Sequence, residues 1–513
     1  MSAVARKERT CADHSDCENL STEEAFESPK KTIPSFPETN LSDGIIGWNG
    51  QDDPDNPQNF SASRKWSLVG LISVFTFISP LASSMFAPAV EFMASDFNVT
   101  SEAALSFTVS VYLLGYTFGP LLLAPLSEIY GRRVILGSAN CFFVFWQIGC
   151  ALAQNVQTLI VCRFLAGIGG SACITLGPAI VTDLFPRDKR GMVISIWGTG
   201  FLVGPIVGPI AGGFLGERAG WRWIFWVLTI SSAVTAIANE IFNKETYPAV
   251  LIGRKKAKLA RELARSDLRH AYELEKRPVS LGQTLKQSLQ RPILLLFKSP
   301  IIFLLSLYMA LIYGLLYLFF TTITDVFTTQ YGLSVGLSGL AYLGIGVGFF
   351  VGLAVIANTN DRIVIKLTAR NDGQFQPEMR LPMMIFFACI LPISFFWYGW
   401  TAEKHVSSIV PIIGMFPFGF AMMGIFLPIQ TYVVDCYPVY AASANAALMA
   451  TRSLVGALLP LAGPAMFHSL GLGWGNSLLG FVAILFIPVP IIFTRYGRTI
   501  REKWPVNLEN TKT

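Results

Sequence analysis

Twelve separate stretches of the sequence are apolar and long enough to cross a lipid bilayer. A helix needs about 20 predominantly apolar residues to cross roughly 30 Å of hydrocarbon. The stretches lie approximately at 67–88, 104–125, 134–154, 157–181, 192–215, 222–243, 300–324, 336–357, 382–401, 408–432, 441–467 and 473–494. Only 14% of the 513 residues are charged, whereas a soluble domain carries about 25%. The pattern predicts an all-α membrane protein with twelve transmembrane helices.

The positions of Lys and Arg orient these spans, because positive residues that flank short loops stay on the cytoplasmic side. With a cytoplasmic N-terminus, three of the 39 positive residues lie outside (Arg218, Arg222 and Lys404), two lie within spans (Arg163 and Arg452), and the other 34 lie inside. The opposite orientation would move almost all of them across the membrane. We therefore expect both termini to be cytoplasmic. The net charge of +6 then follows from topology and requires no nucleic-acid partner.

The polar segment before the first span shows neither a signal peptide nor a metal site. Its first 60 or so residues contain no apolar core of a secretory signal, so we expect the first span to direct insertion. A calcium loop starting at Asp52 would need Gly at its sixth position and Glu at its twelfth, where the chain has Pro57 and Ser63. We expect no metal and no cofactor.

Two covalent features of extracellular proteins are weakly represented. None of the eight Cys residues falls in a predicted outer loop, so we expect no disulfide framework. The sequon at Asn98, which reads Asn-Val-Thr, is the candidate glycosylation site on the outer side. It lies close to the membrane, and we expect it to be unused.

The chain divides into two halves that resemble each other. Asp183 and Pro186 at the inner end of span 4 match Asp435 and Pro438 at the inner end of span 10, at an offset of 252. Internal repeats of this kind are typical of transporters that work by alternating access. We expect a polar cytoplasmic tail, an N-terminal six-helix bundle, a basic cytoplasmic linker, a C-terminal six-helix bundle and a cytoplasmic C-terminal tail, at 1–65, 66–243, 244–298, 299–495 and 496–513.

The linker between the bundles carries thirteen Lys and Arg. Its segment "RKKAKLARELARSDLRHAYELEKR" has no apolar run long enough to span a membrane. The segment fits a basic helix beside the inner leaflet. A solvated linker without a regulatory role explains it equally well.

Three stretches look like the signature motifs of the major facilitator superfamily: "APLSEIYGRR", "LIVCRFLAGIGG" and "GPIVGPIAGG". The stretches "WRWIFW", "KETYP", "PEMRLP" and "DDPDNPQNF" resemble the fungal members of its twelve-span drug:proton antiporter family. The resemblance covers nearly all of the chain after about residue 45. It implies the major facilitator fold of two pseudo-symmetric six-helix bundles. It also implies proton-coupled export, since this family attaches the doubled Gly-Pro motif to exporters.

Two groups of residues are candidates for gating. After span 2, Gly131 permits a tight inner turn, Arg132 and Arg133 hold this turn in the cytoplasm, and Glu128 is placed to act as a latch with a basic partner. The superfamily pattern has Asp and then a basic residue where this chain has Glu128 and Ile129, which puts one partner of the latch in doubt. Simple topogenic charge is the alternative. In span 5 the Gly-Pro repeat suits a hinge and comprises Gly204, Pro205, Gly208 and Pro209.

Arg163 is the first candidate for coupling, because a guanidinium within a span is costly unless it faces the interior of the bundle. The family resemblance implies a role in proton coupling. A proton-coupled carrier also needs a group that titrates, but no Asp or Glu lies clearly in the middle of a span. Asp325 and Glu240 are the remaining candidates.

The substrate site is predicted from aromatic pairs spaced four residues apart, which share one face of a helix. Aromatic walls with few polar groups suit bulky amphipathic ligands, although packing against lipid or neighbouring helices explains such pairs as well. Arg452 is deep in span 11 and is a candidate contact for an anionic or polar group. The predicted substrate-binding residues are Tyr112, Tyr116, Tyr313, Tyr317, Phe416, Phe420 and Arg452.

Other classes of function fit the sequence less well. The stretch "GLSVG" matches a hydrolase elbow around Ser334 but falls in a short outer loop, and the four His supply no convincing partner. A transporter-derived receptor would usually carry a longer signalling tail. We expect a monomeric exporter of amphipathic small molecules, driven by protons, in the plasma membrane or alternatively in the vacuolar or another internal membrane. A transporter of a defined organic anion is the main rival.

Overall fold

The computed structural model describes residues 36–265, 267–272, 281–437 and 441–504. The first half contains helices α1 Ala62–Ser84, α2 Val90–Phe97, α3 Glu102–Tyr130, α4 Arg132–Ala151, α5 Val156–Leu184, α6 Arg187–Ala219 and α7 Trp221–Phe242. The connection contains α8 Pro248–Glu262 and α9 Leu281–Lys298. The second half contains α10 Pro300–Thr329, α11 Val335–Gly339, α12 Leu343–Arg370, α13 Pro382–Glu403, α14 Ile409–Gly414, α15 Phe416–Cys436, α16 Ala441–Leu458, α17 Gly463–Leu485 and α18 Pro488–Lys503.

Short elements complete the described chain. The strands β1 Ile45–Ile46 and β2 Arg269–His270 form a two-stranded parallel sheet. Single 3₁₀ turns lie at Pro57–Asn59, Ala87–Ala89, Leu340–Tyr342, Pro377–Arg380 and Leu459–Ala462.

Eleven continuous helical segments in the described residues are long and apolar enough to cross a membrane. The last of them, Ala441–Lys503, has 63 residues, which is far more than one crossing requires. Its backbone leaves helical geometry at Gly471, with φ 74° and ψ 173°. Just after this break, Glu403 Oε2 accepts hydrogen bonds from the N–H groups of Leu472 and Gly473 at 2.9 and 3.2 Å. The break separates the eleventh crossing from the twelfth, so the fold has the twelve crossings that the sequence predicts.

The two halves pack their helices in the same way. In the first half, α1 packs against α6, α3 against α5 and α4 against α7. In the second half, α10 packs against α16, α12 against α15 and α13 against α17. Numbered by crossing, the first set is 1 with 5, 2 with 4 and 3 with 6, and the second set repeats it as 7 with 11, 8 with 10 and 9 with 12. The internal repeat predicted from the sequence is therefore present in the packing.

The bundles meet at the end of the molecule that we term the distal end, where Gly220 and Gly471 turn the chain. There, Glu217 Oε2 accepts a hydrogen bond from the Gly336 N–H at 2.6 Å. Closer to the middle, Ser110 Oγ donates to the Ala457 carbonyl at 2.7 Å. These contacts join α6 to α11 and α3 to the end of α16, so the distal half of the interface is closed.

The opposite end, which we term the linker end, carries α8 and α9 and a set of ion pairs that stay within each bundle. Arg132 Nε lies 3.4 Å from Asp183 Oδ2 in the first bundle. In the second bundle, Arg380 pairs with Asp435 and also approaches Asp361, whose Oδ1 is 3.6 Å from Arg380 Nη1. Since these charges are satisfied inside the bundles, they do not hold the two bundles to each other at this end.

Residues 36–60 pack against residues 248–265 and 267–272 to form a small unit that we term the clamp. Its core is formed by Ile46, Trp48, Ile252 and Leu268, which are at most 3% exposed. Trp48 Nε1 donates to the hydroxyl of Tyr272 at 3.3 Å. The sequence does not predict this core, because both segments are polar and neither contains an apolar run.

Lys255 of α8 fastens the clamp. Its Nζ donates to the Gly47 carbonyl and to Asn49 Oδ1, both at 2.7 Å. Burial lowers the pKa of Lys255 from its ordinary value, while the carboxylates of Asp53 and Asp55 act in the opposite direction. The aliphatic part of the side chain thus lies among clamp residues while its amino group satisfies acceptors of the N-terminal segment.

Candidate functional site

Arg163 lies inside the first bundle and is 1% exposed. Its Nη2 donates to the carbonyls of Ser83 and Val109, each at 3.2 Å. Ser83 is in the last turn of α1, where carbonyl groups lack partners within the helix. The guanidinium also lies 5.2 Å from the ring centroid of Phe86 and 5.6 Å from that of Tyr112. Arg163 therefore ties α1, α3 and α5 together through carbonyl and aromatic contacts rather than through a carboxylate.

A hydrogen bond between Ser83 and Tyr317 connects the first bundle to the second. The hydroxyls of Ser83 and Tyr317 lie 2.7 Å apart, and Ser83 Oγ also lies 2.6 Å from the Pro80 carbonyl. Tyr317 packs against Tyr313 one turn away on α10, with ring centroids 5.2 Å apart. A continuous row of side chains thus leads from Arg163 through the bundle interface towards Arg452.

Arg452 on α16 is enclosed by aromatic rings from three other helices. Its guanidinium carbon lies 5.4 Å from the ring centroid of Phe201 on α6, 5.1 Å from that of Tyr313 on α10 and 4.8 Å from that of Phe426 on α15. Phe201 belongs to the first bundle and the other two rings to the second. We term Arg452 and these three rings the Arg452 cage. The Arg452 cage therefore lies at the interface between the bundles.

The predicted pair Tyr112 and Tyr116 lies within the first bundle. Both side chains are 1% exposed, and their hydroxyls lie 2.9 and 2.6 Å from Ser79 Oγ. Their aromatic rings are tilted, with centroids 5.1 Å apart. Both tyrosines contact α1 through Ser79, and Tyr112 also contacts Arg163. Because both side chains are buried, neither presents a surface that is open to a ligand.

Phe416 and Phe420 lie away from the Arg452 cage. Their rings are stacked with centroids 6.0 Å apart, and the ring of Phe420 packs 4.9 Å from that of Phe387 on α13. A Cβ placed at Gly348 on α12 would lie 2.3 Å from the Phe416 carbonyl oxygen and 2.8 Å from the Phe420 backbone nitrogen. The helix that carries both rings therefore lies close against α12, the Phe420 ring packs on α13, and among the described residues neither ring contacts Arg452.

The predicted coupling carboxylates lie at opposite ends of the molecule. Asp325 is exposed near the distal end of α10, close enough to Glu91 and Glu102 for electrostatic interaction. Glu240 lies at the linker end of α7, where its Oε2 is 3.6 Å from Arg133 Nη2 in an exposed ion pair. The structure does not bring either carboxylate to Arg163 or to the Arg452 cage.

The predicted gating turn at Gly131 is built around the carboxylate of Glu245, which is not among the residues predicted for gating. Gly131 has φ 101°, and a Cβ placed there would lie 2.1 Å from Glu245 Oε2. Glu245 Oε1 accepts hydrogen bonds from the Arg132 N–H at 2.8 Å and the Tyr247 N–H at 3.0 Å. Arg132 reaches from this turn to Asp183. Glu128 is exposed on the same end of α3, so the turn, and not Glu128, is the buried part of this motif.

The Gly-Pro repeat of α6 lies against α1. A Cβ at Gly204 would lie 2.8 Å from the Phe77 carbonyl oxygen, and one at Gly208 would lie 2.2 Å from Ser84 Oγ. Pro205 and Pro209 are both buried inside the continuous helix Arg187–Ala219. These glycines allow the two backbones to approach closely, which places Phe201 of the same helix beside the second bundle.

Several functional candidates carry no obvious signal in the sequence. Ser79 and Ser83 flank Pro80 four residues apart, but serines are common in membrane helices and the spacing alone does not identify a partner. Glu245 lies in the "KETYP" stretch, which marks the family resemblance. Phe201 and Phe426 are single aromatic residues among 39 Phe, and only the tertiary packing selects them.

Two peripheral features complete the candidate positions. Asn98 is exposed, ends α2 and has φ 53°, so it is accessible at the distal end. In the part of the chain that the structure describes, no group of three or more His, Cys, Asp or Glu side chains is placed to hold a metal ion.

Twelve crossings in two repeated bundles, with a polar and aromatic row between them, define a membrane transporter. The profile of the Major Facilitator Superfamily matches residues 72–460, and the chain belongs to this family. It is 49% identical over 457 residues to the MFS-type transporter penM of Penicillium rubens, with 89% of each chain covered. It is 41% identical over 458 residues to the efflux pump radE of Floropilus chiversii, covering 89% of this chain and 85% of radE.

The fold is also similar to that of a solved transporter. The xylose transporter XylE from E. coli, in a partially occluded inward open conformation, aligns with a TM-score of 0.63 at 17% identity. The alignment covers 85% of this chain and 98% of XylE. At this identity the likeness supports the major facilitator fold and does not extend to the substrate.

Proposed function

We propose that this protein exports amphipathic small molecules, such as drugs, toxins or secondary metabolites, by alternating access coupled to proton antiport. The observation that carries this proposal is the bundle interface, which is joined at the distal end and lined near its middle by the Arg452 cage. The relative named as an efflux pump supports the direction of transport. The enclosing rings Phe201, Tyr313 and Phe426 suit the apolar body of an amphipath.

In this proposal, the linker end faces the cytoplasm and both termini are cytoplasmic. The basic residues of the linker end favour this orientation, because positive charges are retained on the cytoplasmic side. The distal contacts of Glu217 and Ser110 then close the outer side, while the ion pairs at the inner side remain within the bundles. This arrangement corresponds to a state that receives substrate from the cytoplasm. The bundles at 66–243 and 299–495 would rock against each other at the contacts of α3 with α16 and of α6 with α11.

Proton coupling in this proposal uses Arg163 and the gating turn. A proton that neutralises Asp183 would weaken its ion pair with Arg132, releasing the linker end of α5. Arg163 would respond through Ser83 and Tyr317, which join the bundles. Glu240 and Asp325 remain secondary candidates, because both are exposed at the ends of their helices.

The test is transport by purified protein in liposomes with an acidic interior. Antiport would draw substrate inward as protons leave, and we expect several unrelated amphipaths to accumulate several-fold above protein-free liposomes. A protonophore should abolish the accumulation, and Arg163→Ala should lack it. Transport that ignores the protonophore would contradict antiport. Movement of only one carboxylated compound would favour the alternative, a transporter of a defined organic anion, for which the unpaired Arg452 is the specific support.

A further inference from the structure

Among the residues that the structure describes, Arg452 differs from Arg163 in having no hydrogen-bond or ion-pair partner. Arg163 donates two hydrogen bonds to carbonyls. Among the described residues, Arg452 makes no hydrogen bond and no carboxylate lies within ion-pair distance of it. Its Nε is buried without a partner, as is Arg163 Nε, but within the described part of the chain Arg452 uses none of the five N–H donors that a guanidinium carries. Only 7% of the residue is exposed.

Such a guanidinium is energetically unfavourable until an acceptor arrives, because buried charges are normally paired and hydrogen-bonded. The rings of the Arg452 cage supply cation–π attraction to the guanidinium. In the part of the chain that the structure describes, none of these residues accepts a hydrogen bond from Arg452. A planar carboxylate fits this requirement, since it accepts two parallel hydrogen bonds from one guanidinium.

We propose that the Arg452 cage recognises the carboxylate, or a similar planar oxyanion, of an amphipathic substrate, with Phe201, Tyr313 and Phe426 packing around the adjoining apolar body. This inference rests on the proposed export function and specifies its substrate class. Since Phe201 comes from the first bundle and Arg452 from the second, an anion bound here contacts both bundles. The substrate charge is thereby placed at the surface that rearranges during transport.

Binding of three matched probes to the purified full chain tests this inference. 4-(1-Pyrenyl)butyrate is anionic, the corresponding pyrenyl butanol is neutral, and pyrenyl butylamine is cationic, while all three share one aromatic body. We expect the butyrate to bind at least tenfold more tightly than the other two. Arg452→Gln should reduce this preference to within twofold, and Arg452→Lys should keep part of it.

Control variants separate recognition from folding. Arg218→Gln removes an exposed guanidinium at the distal end and should preserve the preference. Phe201→Leu should weaken all three probes while preserving their order, and it keeps the test available if Arg452→Gln does not yield a monodisperse protein. Equal binding of the butyrate and the alcohol, a preference that survives in Arg452→Gln, or no binding of the butyrate to folded wild-type protein would each overturn the inference.

Transport of the same probes distinguishes this inference from the proposed function. Binding of the butyrate that depends on Arg452, without accumulation in proton-loaded liposomes, would reject export and retain the anion site. Equal accumulation of all three probes would support export and reject the anion site. Accumulation of all three probes with the butyrate highest, a preference that is lost in Arg452→Gln, supports both.

Discussion

The hydroxyls of Ser83 and Tyr317 lie 2.7 Å apart and join the first membrane helix of one bundle to the first membrane helix of the other. Both side chains are buried. Ser83 also presents its backbone carbonyl to Arg163. Ser83 therefore contacts both Arg163 in the first bundle and Tyr317 in the second. A displacement of either of these two side chains would change the contacts that Ser83 makes with the other.

Tyr317→Phe should make the distal end open more readily. The substitution removes one buried hydrogen bond, worth about 0.5 to 1.5 kcal/mol, and leaves Ser83 bonded to the Pro80 carbonyl. We expect the populations of the two facing states to shift by up to about tenfold. Spin labels at Tyr130 and Lys366, which are exposed at the linker ends of different bundles, would report the shift as a changed distance distribution.

Tyr342→Phe is the matched control for this prediction. It also removes a buried tyrosine hydroxyl, which donates to the Phe320 carbonyl at 3.1 Å, but both residues belong to the second bundle. Its distance distribution should match that of the wild type. An unchanged distribution in Tyr317→Phe would show that the bond does not contribute to distal closure.

Arg163→Met should abolish transport and lower stability. The substitution leaves the buried Ser83 carbonyl without its donor, a loss of about 1.5 to 3 kcal/mol for a hydrogen bond from a charged group. No carboxylate is left unpaired, so we expect the protein to remain folded. Thermal unfolding and liposome transport should be measured together, with Arg218→Met as an exposed control that changes neither. Wild-type transport by Arg163→Met would exclude Arg163 from coupling.

Gly208→Ala should impair packing of α6 against α1. The added Cβ would lie 2.2 Å from Ser84 Oγ and 3.1 Å from the Leu81 carbonyl oxygen, and overpacking of this kind costs about 1 to 3 kcal/mol. Gly198→Ala on the same helix is the control, because no atom lies within 4 Å of its added Cβ. Alanine there should be neutral or stabilising by up to about 1 kcal/mol. Equal melting temperatures for the two variants would contradict this account.

Trp48→Ala should open the clamp without unfolding the bundles. Trp48 is 2% exposed, and truncation of a buried tryptophan costs about 3 to 5 kcal/mol. Limited proteolysis should therefore cut residues 36–60 much faster. Trp474→Ala, at a tryptophan that is 60% exposed, should be cut at the wild-type rate. Unchanged cleavage of Trp48→Ala would show that the clamp is held by its polar contacts.

The crossings could be predicted from the sequence because each requires a long apolar run, and such runs are visible locally. The matching positions of Asp183 and Asp435 predict the packing repeat, and each of these carboxylates pairs with an arginine at the linker end. The side to which an aromatic pair turns could not be predicted in the same way. Tyr313 and Phe416 lie in equally apolar helices, and only the neighbouring helix determines that one ring contacts Arg452 and the other does not.

The sequence predicts least well the contacts of Arg163, the contacts of Glu245 and the core of the clamp. A guanidinium within a span, such as that of Arg163, can be recognised from the residue type alone. Its carbonyl partners cannot, because every residue has a carbonyl. Glu245 is not predicted for a related reason. In the sequence, a carboxylate that caps a helix cannot be distinguished from any other charged residue in a loop. The clamp core is not predicted from the sequence, because its four apolar residues come from two polar segments.

The clamp also changes the connectivity of the first bundle. Trp48 and Tyr272 are 224 positions apart, yet they are in contact, so the chain that forms the first six crossings is closed into a noncovalent ring. Linking the ends of so long a loop removes more chain entropy than linking the ends of a short one. When the molecule is pulled from its N-terminus, the clamp should rupture before any membrane helix is extracted, and this first event should release a length of chain that contains no crossing.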